Sequence, residues 1–383
     1  MSKTIPYGKQ YIDRNDIKYV STSLKNDLIT TGPYVVKLEN RLKKFFKSKF
    51  SFTCSSGTAA IHLAMLSLNL KPNDTILMPA INFIASYNIA KTMNLKIYLV
   101  DVDKYTGQIT PSSVLECIKR NRLKTIKALV VMFHGGYPEN IKNFYDIKKK
   151  FNFYIIEDAC HAFGAEYKYK KKFYKIGSCK HSDISTFSLH PVKTITSGEG
   201  GIVSTNNSKI AKKIMLFRNH GIIRKTSKHW HYDVIANGYN YRLSDINCSL
   251  AFSQFNKLKY LLNQRKKIYN RYCKVFENFN KNLVIPNFSN NIKSSYHLFL
   301  ININFKKLKK KKDSFINYLM KRNIIVQYHY IPIYKFSVYK EKRLNFSGSE
   351  KYLKSTLSLP IFPSLTIKNQ YKIIKLIKNY IEH

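Results

Sequence analysis

Short apolar runs alternate with stretches of helical period through the first two-thirds of the chain. FSFTC (50–54) precedes TAAIHLAMLSLNL (58–70), whose apolar positions recur at three- and four-residue intervals. TILMPA (75–80) precedes FIASYNIAKTMN (83–94), and KIYLVDV (96–102), a helix over 111–121 and IKALVVMF (126–133) follow. A lysine-rich helix at 141–151 leads to FYIIED (153–158), ISTFS (184–188) and GIVST (201–205). Strands alternating with helices need crossovers. The pattern therefore predicts an α/β fold with a mostly parallel sheet, covered on both faces. In such sheets ligands collect beyond the carboxyl ends of the strands.

Past about residue 250 the pattern changes. One long helix is predicted over 253–279, then a strand at 297–303, a helix at 313–322, a strand in IIVQYHY (324–330) and closing helices. This divides the chain into a large domain over 1–252 and a smaller α+β domain over 253–383, joined by the long helix. The run KKLKKKK (306–312) reads as an exposed loop. No internal repeat is seen.

Composition narrows the function classes. Lys and Arg number 66 against 22 Asp and Glu, a formal charge of +44. That charge raises a nucleic-acid-binding reading. The lysines, however, spread along the whole chain together with abundant Asn, Ile, Tyr and Phe, and no RNP, zinc-finger or basic-zipper pattern accompanies them. A solvated lysine surface is the expectation, with no specific nucleic-acid partner. The six cysteines lack C-x-x-C spacing, and the first sixteen residues show no charged-then-apolar leader. No apolar run is long enough to span a bilayer. A cytoplasmic protein with no membrane partner is expected.

The candidate chemistry lies at three strand ends. FSFTC runs into SSGT (55–58) at a helix start, IIED ends in Asp158, and ISTFS ends in Ser188 with Lys193 just beyond. In a parallel sheet these ends converge on one edge. SSGT reads either as a helix cap or as an anion cradle, where free N–H groups and the helix dipole favour a phosphate. Asp158 reads as a helix cap or as a carboxylate partner for a pyridine nitrogen. Lys193 stands apart from the charged runs, among small hydroxyl and glycine residues in SLHPVKTITSGEGG (188–201). Desolvation there would lower its pKa and make the amine a nucleophile. Together the three features specify pyridoxal 5′-phosphate much better than any one of them does. Cys160, His161, Cys179 and His181 raise a zinc reading, but their spacing matches no finger or ribbon and no metal is expected. Walker, Rossmann, nucleophile-elbow and H-E-x-x-H motifs are absent.

These residues resemble the DegT-type sugar aminotransferases, fold type I pyridoxal-phosphate enzymes. The likeness runs from IPYGKQYIDRNDI (5–17) and LITTGPYVVKLE (28–39) through SSGTAAIHLA (55–64), IIEDACHAFGAEY (155–167) and FSLHPVKTITSGEGG (187–201). It continues in GYNYRLSDI (238–246), QYHYIP (327–332) and LSLPIFPSLT (357–366). The longer motifs are most similar to the branch that aminates C4 of a UDP-linked 4-keto-6-deoxy N-acetylhexosamine, with L-glutamate as donor, on the way to pseudaminic acid. The bacillosamine and aminoarabinose routes are the alternatives. The resemblance implies catalytic roles for Lys193 as Schiff-base lysine, Asp158 at the ring nitrogen and His161 near the phenolic oxygen. It further implies Gly57, Thr58 and Ser188 at the phosphate and Phe83 on the ring face. Asn240 would reach a partner subunit's site in a homodimer, and Tyr7, Thr31, His329 and Tyr330 would line the nucleotide-sugar site. Leu189 and Thr194 depart from the commoner Phe and His.

Overall fold

Apolar strand residues three to five long, each followed by a capped helix, set the main sheet. The structure, a computed structural model, describes residues 4–224, 230–339 and 345–383. The chain opens with α1 (Arg14–Ser23) and α2 (Pro33–Phe46), followed by β1 (Phe50–Cys54), α3 (Gly57–Ser67), β2 (Thr75–Pro79), α4 (Ala85–Thr92) and β3 (Lys96–Val100). Next come α5 (Pro111–Arg120), β4 (Ala128–Met132), α6 (Ile141–Phe151) and β5 (Tyr154–Asp158). A hairpin of β6 (Glu166–Tyr169) and β7 (Lys172–Lys175) precedes β8 (Ile184–Ser188), β9 (Gly201–Thr205) and α7 (Ser208–Arg218).

The main sheet has the order β1-β9-β8-β5-β4-β2-β3. β9 runs antiparallel to both neighbours, and the other pairings are parallel. The mostly parallel sheet expected from the sequence is therefore present, with seven strands. β1, β5 and β8 share one direction, so Cys54, Asp158 and Ser188 end on the same edge. Alternation along the strands feeds two cores. Leu77, Leu129, Val131, Ile155 and Ile202 enter one, and Ile76, Val130, Ile156, Ile184 and Val203 enter the other. α3 is buried nearly all round, with Ala60, Leu63, Ala64 and Met65 fully enclosed.

β10 (Ile222–Arg224) and β11 (Tyr232–Val234) form a separate antiparallel pair. The predicted helix over 253–279 is instead two, α8 (Asp245–Asn256) and α9 (Leu258–Phe276). Lys257 breaks the run at φ −103, ψ 13, with its ammonium 2.6 Å from buried Asp16 and 2.5 Å from Asp13. No Gly or Pro marks that joint, so periodicity alone could not find it. β12 (Leu283–Val284), β13 (Ile292–Lys293), β14 (Phe299–Ile303), α10 (Lys312–Met320), α11 (Ser347–Ser355), β15 (Thr356–Leu359) and α12 (Ile367–Glu382) complete the chain.

Residues 324–330 alternate like a strand but make only single bridges, Ile324 with Ile5 and Gln327 with Ser358. Most of KKLKKKK is exposed turn, yet Lys312 opens α10 and donates to the carbonyls of Leu353 and Thr356 at 2.6 and 2.7 Å. Burial pulls its pKa down to about 7. A third core unites Ile268, Tyr272 and Phe276 of α9 with Phe299 and Ile301 of β14, Ile373 and Ile377 of α12, and Ile5.

Candidate active site

The sheet edge and the segment 327–331 enclose a cavity of about 590 Å³. Its floor is α3, capped by Ser56, whose Oγ accepts from the Ala59 N–H at 3.0 Å. Gly57 is required by close approach: a Cβ there would lie 2.8 Å from Ser188 Cβ. The first turn of α3 thus packs directly against the end of β8, a close approach that only glycine allows. Gly201 is constrained likewise, since a Cβ would meet the Ser56 carbonyl oxygen at 2.2 Å.

Asp158, 3 % exposed, ends β5. Its Oδ2 lies 3.4 Å from both Asn82 Nδ2 and Ser86 Oγ, and its Oδ1 accepts from the Cys160 N–H at 3.3 Å. Lys193 stands in a turn five residues after Ser188, its N–H donating to the His190 carbonyl at 2.9 Å. Burial of its amine pulls the pKa below the usual lysine value; Cys160 and Asp158 oppose the shift and Arg265 adds to it. Burial raises the Cys160 thiol well above its usual range, which leaves Asp158 as the acidic counter-charge.

His161, 1 % exposed, has both ring nitrogens engaged. Nδ1 accepts from the Gly135 N–H at 3.3 Å, and Nε2 lies 2.9 Å from the Tyr330 hydroxyl. Burial, the neighbouring imidazoles of His297, His134 and His329, and Lys193 push its pKa well down, so the ring is neutral. An accepting Nδ1 places the proton on Nε2, which donates to Tyr330. The Tyr330 hydroxyl hydrogen is left to point elsewhere. A second relay, His134 Nε2 to Tyr352 (2.8 Å) to the His329 carbonyl (2.6 Å), braces the same wall.

Gly57, Thr58, Phe83, Asp158, His161, Ser188, Lys193, Tyr7, His329 and Tyr330 all line this one cavity. Asn240 and Thr31 do not: both are exposed and lie outside it. Phe83 is 55 % exposed, with its ring centroid 5.8 Å from that of Tyr330. Cys160 and His161 stand in the cavity, whereas His181 bonds Tyr167 and Cys179 contacts the Ser204 carbonyl on the far side of the sheet. Among the described residues no cluster could hold a metal ion.

Sequence reasoning missed Asn82, Ser86, His134, Glu199 and His297. Asn82 and His134 follow β2 and β4, so the strand-end rule applied there would have reached them. His297 precedes β14 of another sheet and carries no such signal. A larger open groove of about 800 Å³, lined by Tyr137, Tyr269, Phe288 and Tyr296 among others, holds none of the predicted site residues.

This sheet order, with a lysine, a carboxylate and a helix N-terminus at one edge, defines a fold type I aminotransferase. The chain belongs to the DegT/DnrJ/EryC1/StrS aminotransferase family, whose model matches residues 10–378. It is 35 % identical over 369 residues to a UDP-4-amino-4,6-dideoxy-N-acetyl-β-L-altrosamine transaminase of Campylobacter jejuni, covering 95 % of this chain and 94 % of that protein. An uncharacterized protein of Methanocaldococcus jannaschii is 33 % identical over 387 residues, 98 % of this chain and 97 % of that one. Among solved structures, Helicobacter pylori PseC, an aminotransferase of pseudaminic acid biosynthesis, superposes with a TM-score of 0.89 at 26 % identity, covering 99 % of this chain and all of that one.

Proposed function

We propose that this protein is a pyridoxal-phosphate-dependent nucleotide-sugar transaminase. It moves the amino group of L-glutamate to C4 of the UDP-linked 4-keto-6-deoxy sugar UDP-2-acetamido-2,6-dideoxy-β-L-arabino-hex-4-ulose. The products are UDP-4-amino-4,6-dideoxy-N-acetyl-β-L-altrosamine and 2-oxoglutarate, within pseudaminic acid and surface-glycan synthesis. One observation carries the chemistry: the desolvated Lys193 amine shares a cavity with Asp158 and with the N-terminus of α3, where Gly57 packs on Ser188. The Campylobacter relative, alike over nearly the whole chain, supports the choice of sugar.

The residues fit the cofactor. The N-terminus of α3 opens on the cavity beside the Thr58 and Ser188 hydroxyls, a donor set that suits a phosphate, so Gly57, Thr58 and Ser188 would hold that group. Asp158, oriented by Asn82 and Ser86, would hold the pyridine nitrogen, His161 would lie by the phenolic oxygen, and Phe83 would cover a ring face. When bound, pyridoxal phosphate supplies an electron sink for the bond broken at the donor Cα. Lys193 would supply the amine that holds the aldehyde and would move a proton at Nζ, a task that its lowered basicity favours. Tyr330, holding His161 by Nε2, leaves its own hydroxyl hydrogen for the substrate. Tyr7 and His329 complete the sugar site in this reading.

Two copies of the chain are needed for the full site. Asn240 lies on the surface beside a β10–β11 pair that exposes Trp230, Val234 and Ile235 at 55 % or more. A homodimer that buries this apolar arm would carry Asn240 into the partner's cavity. Residues 253–383 form the smaller domain, built on the third core. The scattered free cysteines suit the cytoplasm.

The test is a half-reaction. With pyridoxal phosphate the protein should gain an absorbance band that borohydride fixes covalently, and L-glutamate should release one 2-oxoglutarate per site. A colourless protein with no fixed adduct would overturn the reading.

A further inference from the structure

α9 buries a regular stripe, Leu258, Leu261, Arg265, Ile268, Tyr272 and Phe276. An arginine interrupts this apolar face. Arg265 is 1 % exposed, and burial pulls its pKa down to about 10. Its bonds run to backbone carbonyls: Nη1 donates to His297 at 3.2 Å and Ile361 at 3.0 Å, and Nη2 donates to Val192 at 3.1 Å. Nε is buried without a partner. Among the described residues no carboxylate pairs with this cation. A buried charge without a counter-ion is costly, and an apolar residue of similar volume would fill the stripe at less expense.

The three carbonyls explain the placement. Val192 immediately precedes Lys193, His297 is a wall of the cavity, and the Ile361 N–H donates to the Tyr7 carbonyl at 3.1 Å beside the same cavity. One rigid fork therefore ties the lysine turn to two walls contributed by distant sequence. A planar guanidinium does this, whereas the point charge of a lysine does not. Its charge also acts on the amine, adding to the effect of burial on Lys193. The other groups that interact electrostatically with Lys193 are Asp158 and Cys160 after β5 and the imidazoles of His134, His161, His190, His297 and His329. Burial holds the imidazoles of His134, His161, His297 and His329 neutral and His190 is exposed, so Arg265 is the buried cation of that set.

We propose that Arg265 is a positioning residue for Lys193, clamping the turn at Val192 to the His297 and Ile361 walls and setting a like charge behind the amine. The proposal rests on the reading of Lys193 as the aldehyde-bearing amine.

The test uses the full chain without added cofactor. Trace acetic anhydride labelling, read at Lys193 by peptide mass spectrometry across a pH series, reports how much of the amine is neutral. Arg265→Met removes fork and charge. Its Lys193 profile should move up by about half a pH unit or more, about a threefold loss of labelling at pH 7. Arg265→Lys keeps the charge and loses the fork. It should restore the wild-type profile while hydrogen exchange quickens in residues 189–197. An unchanged Lys193 profile in a folded Met variant, or unchanged exchange over 189–197 in the Lys variant, overturns the proposal. If the Met variant does not fold, the exchange result decides. Failure of wild-type Lys193 to trap pyridoxal phosphate under borohydride would remove the underlying reading instead, since neither labelling nor exchange depends on the cofactor.

Discussion

At the residue scale the site is a set of constraints on two side chains. Lys193 is desolvated, and Asp158 is held by Asn82, Ser86 and the Cys160 N–H. Lys193→Ala should leave no pyridoxal phosphate fixed by borohydride, checked by mass spectrometry of the tryptic peptide; a retained adduct would move the role to another amine. Asp158→Asn keeps the shape and removes the charge, so turnover should fall by about 100-fold or more while the circular dichroism spectrum stays. Near-normal rates would contradict the ring-nitrogen role. Both residues were legible in the sequence, because an apolar run ending in Asp and a solitary lysine after another run fall on the same sheet edge. His297 and Arg265 were not legible. His297 reaches the cavity from just before β14 and Arg265 reaches its wall from α9, both by tertiary approach, and neither stands at a strand end.

At the element scale, β5 carries adjacent acids to opposite faces of the sheet. Asp158 meets the cavity, while Glu157, 3 % exposed, turns to Ser185 on β8 and bonds its hydroxyl. Burial raises the Glu157 pKa from 4.5 to about 7, against the opposing hydrogen bond of Ser185. The native state therefore binds the proton more tightly than the unfolded chain. Its contribution is complete below about pH 4.5 and is lost as pH rises to about 7. Glu157→Gln should flatten that part of the pH–stability curve, gaining about 1–3 kcal/mol over wild type at pH 8 in urea titrations. Parallel curves for the two proteins would refute the buried-acid account.

Elements were read well where period and length agreed. β8, β9 and α6 fall on the expected residues. They were misread where a side chain overrode the period, as at Lys257, or where an extended segment found only two bridging partners, as at 324–330.

At the whole-molecule scale the excess of 66 basic over 22 acidic residues is spread over the surface. Many lysines lie on aromatic rings, such as Lys293 on Phe173 at 4.0 Å and Lys312 on Tyr328 at 4.0 Å. A field of one sign attracts a doubly charged nucleotide sugar. Raising the salt concentration should lower kcat/KM for the UDP-sugar and leave kcat nearly unchanged. A salt-independent kcat/KM would show that this charge takes no part in capture.

The most direct measurement supplies the protein with pyridoxal phosphate, L-glutamate and, in separate reactions, the two C5-epimeric UDP-4-keto-6-deoxy-N-acetylhexosamines. Products are followed by mass spectrometry and by 2-oxoglutarate release. Amination of the β-L-arabino-configured sugar, with one 2-oxoglutarate formed per amino sugar, is the expected result. Amination of the other epimer alone, or of neither, would contradict it.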